Sequence, residues 1–229
     1  MIEFKNVSKI YKINGDDCVA LADINLEIKP QEFVSVAGPS GAGKSTLLNL
    51  LLGKEKPTEG QVIFNGHDIS LFSQDELPAF RRRMGMVFQD FKLLSRRTVA
   101  ENIAFAMEVV DKTNEEIAED VPQVLDLVGL ADKAGYFPHQ LSGGEKQRVS
   151  IARALIHRPE VILANEPTGN LDLLNTWDVV RLLLKINELG TIIILATHDR
   201  EIINNLNKRV ITLNKGRVIR DEEQGRYIL

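Results

Sequence analysis

Only one cysteine stands in this chain of 229 residues, Cys18, so neither an intrachain disulfide framework nor a multi-cysteine metal site is available, and a reducing compartment, the cytoplasm by default, suits it. No apolar run reaches the roughly 18 residues needed to cross a bilayer. The best, such as Thr191-Ile-Ile-Ile-Leu-Ala196, has the length of a buried strand. The chain is expected to span no membrane. Its opening, Met1-Ile-Glu-Phe-Lys5, carries an acid and lacks the apolar core of a secretory signal, so it reads as the start of the fold. Positive charge is not in excess either. Lysine and arginine total 28 against 32 aspartates and glutamates, and the net charge of −4 offers no bulk attraction for nucleic acid or anionic lipid. Any anion site must be local. Repeats and low-complexity linkers are missing too. With 44% hydrophobic and 26% charged residues, the composition is that of an ordinary folded domain.

Short β-like runs, Ile2 to Asn6 and Val19 to Ile28, open the chain and predict an antiparallel edge sheet. Phe33 to Ala37 predicts a compact buried strand, followed by glycines and a helix from Ser45 to Leu52 that Gly53 stops. Gln61 to Phe64 predicts another strand, ending at the turn dipeptide Asn65-Gly66. From about Arg96 to Gln140 the character becomes helical. Thr98 with Glu101 and Thr113 with Glu116 are spaced as capping boxes and mark two helix starts. In the second helix Ile117, Val121, Val124, Leu125 and Val128 share a face, and Pro122 should cost it a hydrogen bond or bend it. Strand Val161 to Leu163, a long helix ending before Gly190 and strand Ile192 to Leu195 alternate as a βαβ unit, which implies a parallel buried sheet. Arg209 to Leu213 and Arg217 to Ile219 flank Asn214-Lys-Gly216 as a hairpin, and Asp221 to Gly225 is expected to fray. The fold class is therefore α/β: a mostly parallel core with an antiparallel β-subdomain, residues 1–95 and 141–229, and a helical insertion at 96–140, all within one domain.

Gly38-Pro39-Ser40-Gly41-Ala42-Gly43-Lys44-Ser45 matches the G-x-x-x-x-G-K-[ST] phosphate loop, and Thr46 follows it into the helix. The glycines let successive backbone N–H groups turn inward around phosphate oxygens, and the helix start adds a positive dipole end. Lys44 is placed to reach the β and γ phosphates, and Ser45 to ligate Mg²⁺. A tight glycine turn would explain the glycines but not Lys44-Ser45 at that offset. Further along, Leu141-Ser142-Gly143-Gly144-Glu145-Lys-Gln-Arg148 again sets Ser-Gly-Gly at a helix start, a second anion site.

These two elements and their order resemble the ATP-binding cassette (ABC) family, whose signature reads LSGGQ; here Glu145 replaces the glutamine. The resemblance covers nearly the whole chain. It implies a P-loop core that binds and hydrolyses Mg²⁺-ATP in a head-to-tail homodimer, each ATP lying between one phosphate loop and Ser142, Gly143, Gly144 and Glu145 of the other copy. It also implies roles for single residues. Tyr11 stands where the adenine-stacking aromatic lies, Gln89 at the loop that helps coordinate Mg²⁺ and senses a membrane partner, and His198 at the histidine that contacts the γ-phosphate. Glu166 stands at the catalytic carboxylate that polarises the attacking water. Asp172, in Gly169-Asn-Leu-Asp172, falls at the segment linking the two sites, and by its own chemistry also reads as an acidic helix cap. His67, His139 and His157 match no such role and show no metal-ligand spacing.

Asn165 departs from the family, which has an aspartate there supporting Mg²⁺ through its water shell. An amide keeps an acceptor and loses the charge, so weaker Mg²⁺ affinity or slower hydrolysis is expected. Residues 81–94, from Arg81 to Leu94, together with Arg97-Thr-Val-Ala-Glu-Asn102, resemble the bacterial cell-division branch of the family. That implies a membrane-protein partner, a peripheral place on the cytoplasmic face of the membrane, and activation of peptidoglycan hydrolases as the output. Pro57 to Gly60 and Glu166 to Asp172 are shared with branches for lipoprotein release and macrolide export, so a transporter subunit is the alternative. Asn165 adds a third reading, a nucleotide-gated interaction module. Phe91, Leu93 and Leu94 read equally as partner contacts or core, and Arg81-Arg82-Arg83 as solvated charge. The acidic balance argues against a nucleic-acid-binding role.

Overall fold

The structure, a computed structural model, describes residues 1–227. In chain order the first elements are β1 (Ile2–Ile13), β2 (Asp16–Ile28), β3 (Phe33–Ala37), α1 (Lys44–Leu51), β4 (Glu59–Phe64), β5 (His67–Asp68) and α2 (Glu76–Arg81). Next come β6 (Met84–Phe88), α3 (Val99–Glu108), α4 (Asn114–Leu127), α5 (Gly143–Leu155), β7 (Val161–Asn165) and α6 (Leu173–Glu188). The last are β8 (Ile192–Thr197), α7 (Arg200–Leu206), β9 (Arg209–Asn214) and β10 (Arg217–Glu222). The chain divides into two compact units, one of residues 1–81 with the segment from Ile192 onward, the other of Arg82–Thr191.

In the first unit an antiparallel sheet has the order β2-β1-β4-β5. Ile2, Phe4 and Val7 of β1 face Leu21, Ile24, Leu26 and Ile28 of β2 across a buried surface, the alternation that one-sided burial of a sheet demands. β1 runs well beyond the expected end at Asn6. The register shifts between Phe4 and Val7, where Asn6 takes a φ of 50°, and the strand resumes pairing through Tyr11, opposite Cys18, to Ile13. Gly60 is required beside this bulge, because a Cβ there would overlap the carbonyls of Lys5 and Asn6.

The same unit carries β10-β9-β3-β8. β3 pairs in parallel with both β8 and β9, and every residue of β3 and β8 is buried, as the continuous apolar runs required. Lys215 and Gly216 both have positive φ, 46° and 75°, so the expected hairpin between β9 and β10 closes in the turn type that suits strand twist. Asp221 to Gly225 does not fray as expected. Arg209, its side chain 13% exposed, donates to both carboxylate oxygens of Asp221 at 2.7 Å and to Glu32 at 3.0 Å. These carboxylates hold its guanidinium above the ordinary arginine range. Gly225 N donates to the Lys208 carbonyl. A charged, polar segment is thus ordered by partners distant in sequence.

In the second unit β6 and β7 pair in parallel, Met84 opposite Val161 through Phe88 opposite Asn165. α3 and α4 begin at the two expected capping boxes, Thr98 with Glu101 and Thr113 with Glu116, each reciprocal. α4 continues through Pro122, which carries no N–H to donate, and it buries Val121 and Leu125. Two of the three arginines expected as solvated charge are engaged: Arg81 donates to the Leu52 and Gly53 carbonyls, and Arg83 pairs with Glu160.

Asn102 is fully buried, and its amide serves three carbonyls, those of Leu94, Arg97 and Thr98, while its Oδ1 accepts from Leu94 N at 2.8 Å. It ties the segment after β6 to the start of α3. Asn102→Leu, similar in volume, would leave these groups without their partner at a cost of about 2–4 kcal/mol. A melting temperature about 5–15 °C lower is the expected result; an unchanged Tm would show that water replaces the amide.

Candidate active site

The phosphate loop lies in the first unit between β3 and α1. Gly38 and Gly43 have φ of 155° and 105°. A Cβ on Gly43 would stand 2.6 Å from the Ala20 carbonyl and 2.7 Å from Leu21 Cδ2, so both backbone conformation and close approach to β2 demand glycine there. Gly41, with φ 78°, has open space where its Cβ would be. Lys44, 6% exposed, donates its Nζ to the Gly38 and Pro39 carbonyls at 2.8 and 3.2 Å. The ammonium is therefore folded back across the loop mouth, where backbone dipoles offset its burial. Ser45 and Thr46 follow in the first turn of α1.

The β3–β8 pairing brings the second residue of this unit into place. Ala37 lies opposite Thr197, so Gly38 and His198 leave neighbouring strands at the same end. His198 is exposed. It is followed by Asp199, which caps α7 by accepting from Glu201 N and Ile202 N. Tyr11, in β1, donates its hydroxyl to Glu55 Oε2 at 2.6 Å. Burial pushes its phenol pKa up, and the bond to Glu55 pushes it further.

In the second unit the β6–β7 register does the same work. Phe88 lies opposite Asn165, so Gln89 and Glu166 leave neighbouring strands together. Glu166 has a φ of 48°, a left-handed conformation costly for a residue with a Cβ and typical of functional turns. Gln89 Nε2 donates to Asn170 Oδ1 at 3.4 Å, and Asn170 Nδ2 donates to the Gln89 carbonyl at 3.2 Å. Gly169 permits this approach, since a Cβ there would stand 2.6 Å from Gln89 Nε2.

The Ser-Gly-Gly segment opens α5 in the same unit. Ser142 caps it and Glu145 closes a capping box: Ser142 N donates to Glu145 Oε2 at 2.7 Å and Glu145 N to Ser142 Oγ at 3.2 Å. The Ser142 N–H, then Lys133 and Arg148, hold the Glu145 carboxyl below its ordinary range despite partial burial. Glu145 therefore preserves the cap that a glutamine would make and adds a negative charge. Gly144 admits no side chain, because Asn175 at the start of α6 fills that space. Asp172 caps α6 through Asn175 N at 2.9 Å, and that backbone bond holds its carboxyl low. Its reading as a helix cap is met.

Asn170, Asn102 and Arg153 escaped the residue-by-residue reading. Arg153 donates to the carbonyls of Phe91 and Lys92, two successive residues with φ of 60° and 49°, and so holds the turn after Gln89. Asn170 lay within a quoted motif, and its signal was the glycine before it; Arg153 had none. Phe91, Leu93 and Leu94 are half-buried.

The oxygen donors Ser45, Gln89 and Asn165 are chemically suited to Mg²⁺, a hard cation that prefers oxygen and water. Among the described residues no cluster of three His, Cys, Asp or Glu side chains is arranged to hold a metal ion.

Residues 21–169 match the family model described as ABC transporter. The chain is 51% identical over 227 residues to the cell division ATP-binding protein FtsE of Bacillus subtilis, covering 99% of this chain and 98% of that one. It is 47% identical to FtsE of Mycobacterium tuberculosis, with coverages of 99% and 98%, and 45% identical to FtsE of Escherichia coli, with 94% and 96%. Among solved structures it resembles the dimeric, post-hydrolysis state of the ATP-binding cassette MJ0796 bound to ADP and Pi, with a TM-score of 0.88, 39% identity, and 99% and 100% of the two chains covered. A fold matched this closely, a phosphate loop seated between β3 and α1, and relatives alike over nearly their full length lead to one conclusion: the chain belongs to the ABC transporter family and is one of its ATPases.

Proposed function

We infer that this ATPase serves bacterial cell division as the cytoplasmic partner of the membrane protein FtsX, its ATP cycle sending a mechanical signal that activates peptidoglycan hydrolases. The observation that carries the reading is the 51% identity to a cell division ATP-binding protein across 99% of the chain. It would sit on the membrane through that partner; among the described residues no helix is long and apolar enough to cross a membrane.

In this mechanism the phosphate loop N–H groups from Ser40 to Thr46 cradle the phosphates, and Lys44 swings from the Gly38 and Pro39 carbonyls to the β and γ oxygens. Tyr11 stacks on adenine. Ser45, Gln89 and, through water, Asn165 would hold Mg²⁺, which when bound would supply positive charge to offset that of the phosphates. Glu166 takes a proton from the attacking water, and His198 donates to a γ-phosphate oxygen. Ser142, Gly143 and Gly144 of a second copy close the site; the dimer formed by the MJ0796 cassette supports a pairing of two copies. Leu173 and Leu174, 58% and 80% exposed immediately after Asp172, supply apolar surface for that contact.

Within the second unit a cavity of about 530 Å³ has Met107 and Ile156 in its floor and Arg82, Glu119 and Arg158 at its rim. An apolar floor with charges of both signs suits one amphipathic cytoplasmic helix of the partner. The helical segment 96–140 lines it through α3 and α4 and moves with that helix as a subdomain.

Phosphate release should be measured with and without FtsX in nanodiscs. Stimulation by FtsX that an Arg82→Glu, Glu119→Arg pair of single substitutions each reduces is the expected result. Stimulation by a substrate-bearing permease and none by FtsX would make the chain a transporter subunit. ATP-driven dimerisation without turnover would make it the nucleotide-gated module that Asn165 favours.

A further inference from the structure

Tyr11 is held by a small polar network, all of it in the first unit. Its hydroxyl donates to Glu55 Oε2 at 2.6 Å and also shares a side-chain hydrogen bond with Thr46, at the start of α1. Glu55 is fixed in turn. Its Oε1 accepts from Asn49 Nδ2 at 3.1 Å, and its Oε2 lies 3.3 Å from Lys9 Nζ. Lys9 is anchored by donating to the Lys56 carbonyl at 2.8 Å, and its ammonium stands over the Tyr11 ring, 5.1 Å from the centroid. Lys9 and Tyr11 share a face of β1, being two residues apart on a strand.

A ring on an open strand would swing about its Cα–Cβ and Cβ–Cγ bonds, and a base stacking on it would meet that lost freedom as a cost. Here the ring is pinned at both ends, by the backbone pairing of Tyr11 with Cys18 and by its hydroxyl. The Lys9 ammonium stands over one face of the ring. Partial burial pushes the Glu55 carboxyl up, but the bonds from Tyr11, Lys9 and Asn49 together hold it below its ordinary range, so the acceptor is ionised and the bond from the phenol is charge-assisted. Through Thr46 the same hydroxyl touches the helix that carries the phosphate loop.

We propose that Glu55 is a positioning residue for ATP, which acts by clamping the hydroxyl of Tyr11 so that the ring meets adenine already oriented, in register with the phosphate loop. This rests on the reading of Tyr11 as the adenine platform. Glu55 touches no part of the nucleotide in this account; it acts through the ring.

The test compares equilibrium binding of ATP with that of tripolyphosphate, which engages the phosphate loop and has no base. Glu55→Ala is expected to weaken ATP binding about three- to tenfold, the effect of losing a partly exposed charge-assisted bond, while tripolyphosphate binds as to the parent chain. Tyr11→Phe, which keeps the ring and loses the tether, should match it, and Glu55→Gln, which keeps an acceptor, should recover most of the affinity. Equal loss for both ligands in Glu55→Ala would reduce Glu55 to a structural prop of α1 and overturn the proposal. So would parent-like ATP binding by Glu55→Ala beside weakened binding by Tyr11→Ala. If Tyr11→Ala itself binds ATP like the parent, the platform reading falls, and the proposal with it.

Discussion

Glu166→Gln is expected to slow ATP hydrolysis by about 10²–10⁴-fold, the usual contribution of a positioned general base, while leaving ATP binding in place. Glutamine has the shape of glutamate, and the left-handed backbone at this position, φ 48°, is equally uncomfortable for either. In the turn that follows, Gly169 N donates to the Glu166 carbonyl at 3.2 Å, a backbone bond that the substitution leaves in place. What disappears is a carboxylate able to take a proton, at the end of a strand whose register with β6 also delivers Gln89. Single-turnover phosphate release and the melting temperature, read on the same preparation, separate lost chemistry from lost fold. Release within about threefold of the parent rate, less than the smallest effect expected of a general base, would move that role to another group.

The features legible in the sequence are those whose chemistry is local. A phosphate loop is contiguous because successive N–H groups must converge on one anion, and Gly38 to Ser45 declared it. The capping boxes at Thr98 and Thr113 need only a residue and its neighbour three places on, and both formed as expected. Continuous apolar runs marked β3 and β8 because both are buried throughout. What stayed hidden depends on distant partners. The outer half of β1 is dominated by exposed or half-exposed residues, including Lys9 and Lys12, and is extended because β2 pairs with it, not because of any apolar period. Asp221 looked like a solvated tail until Arg209, twelve residues away, took both its oxygens. Glu55 lies 44 residues from Tyr11, in a loop with no motif of its own. The arginine that holds the turn at Phe91 and Lys92 is 62 and 61 residues from the carbonyls it serves. A pattern of spacings in one dimension carries no trace of such pairs, although their residue types, buried amides and paired charges, are those that physics requires once the chain has folded.

The amide of Asn165 makes the second large prediction. It ends β7 directly opposite Phe88, half-buried and one residue before Glu166. Asn165→Asp should lower the Mg²⁺ concentration that half-saturates ATP hydrolysis by about 5–30-fold, since a charged acceptor on a water of the ion is worth about 1–2 kcal/mol more than a neutral one. The gain must depend on the ion. In EDTA the same substitution adds a negative charge beside Glu166 with no cation to offset it, so under the proposed mechanism nucleotide affinity is expected to fall. A single change thus acts in opposite directions with and without Mg²⁺, which an unspecific effect on folding would not do. Titrating Mg²⁺ at saturating ATP, and binding ATP in EDTA, gives both signs. Identical Mg²⁺ dependence in the two chains would mean that the amide already serves the ion as well as a carboxylate does, and would free this ATPase from the slowing that Asn165 is otherwise expected to impose.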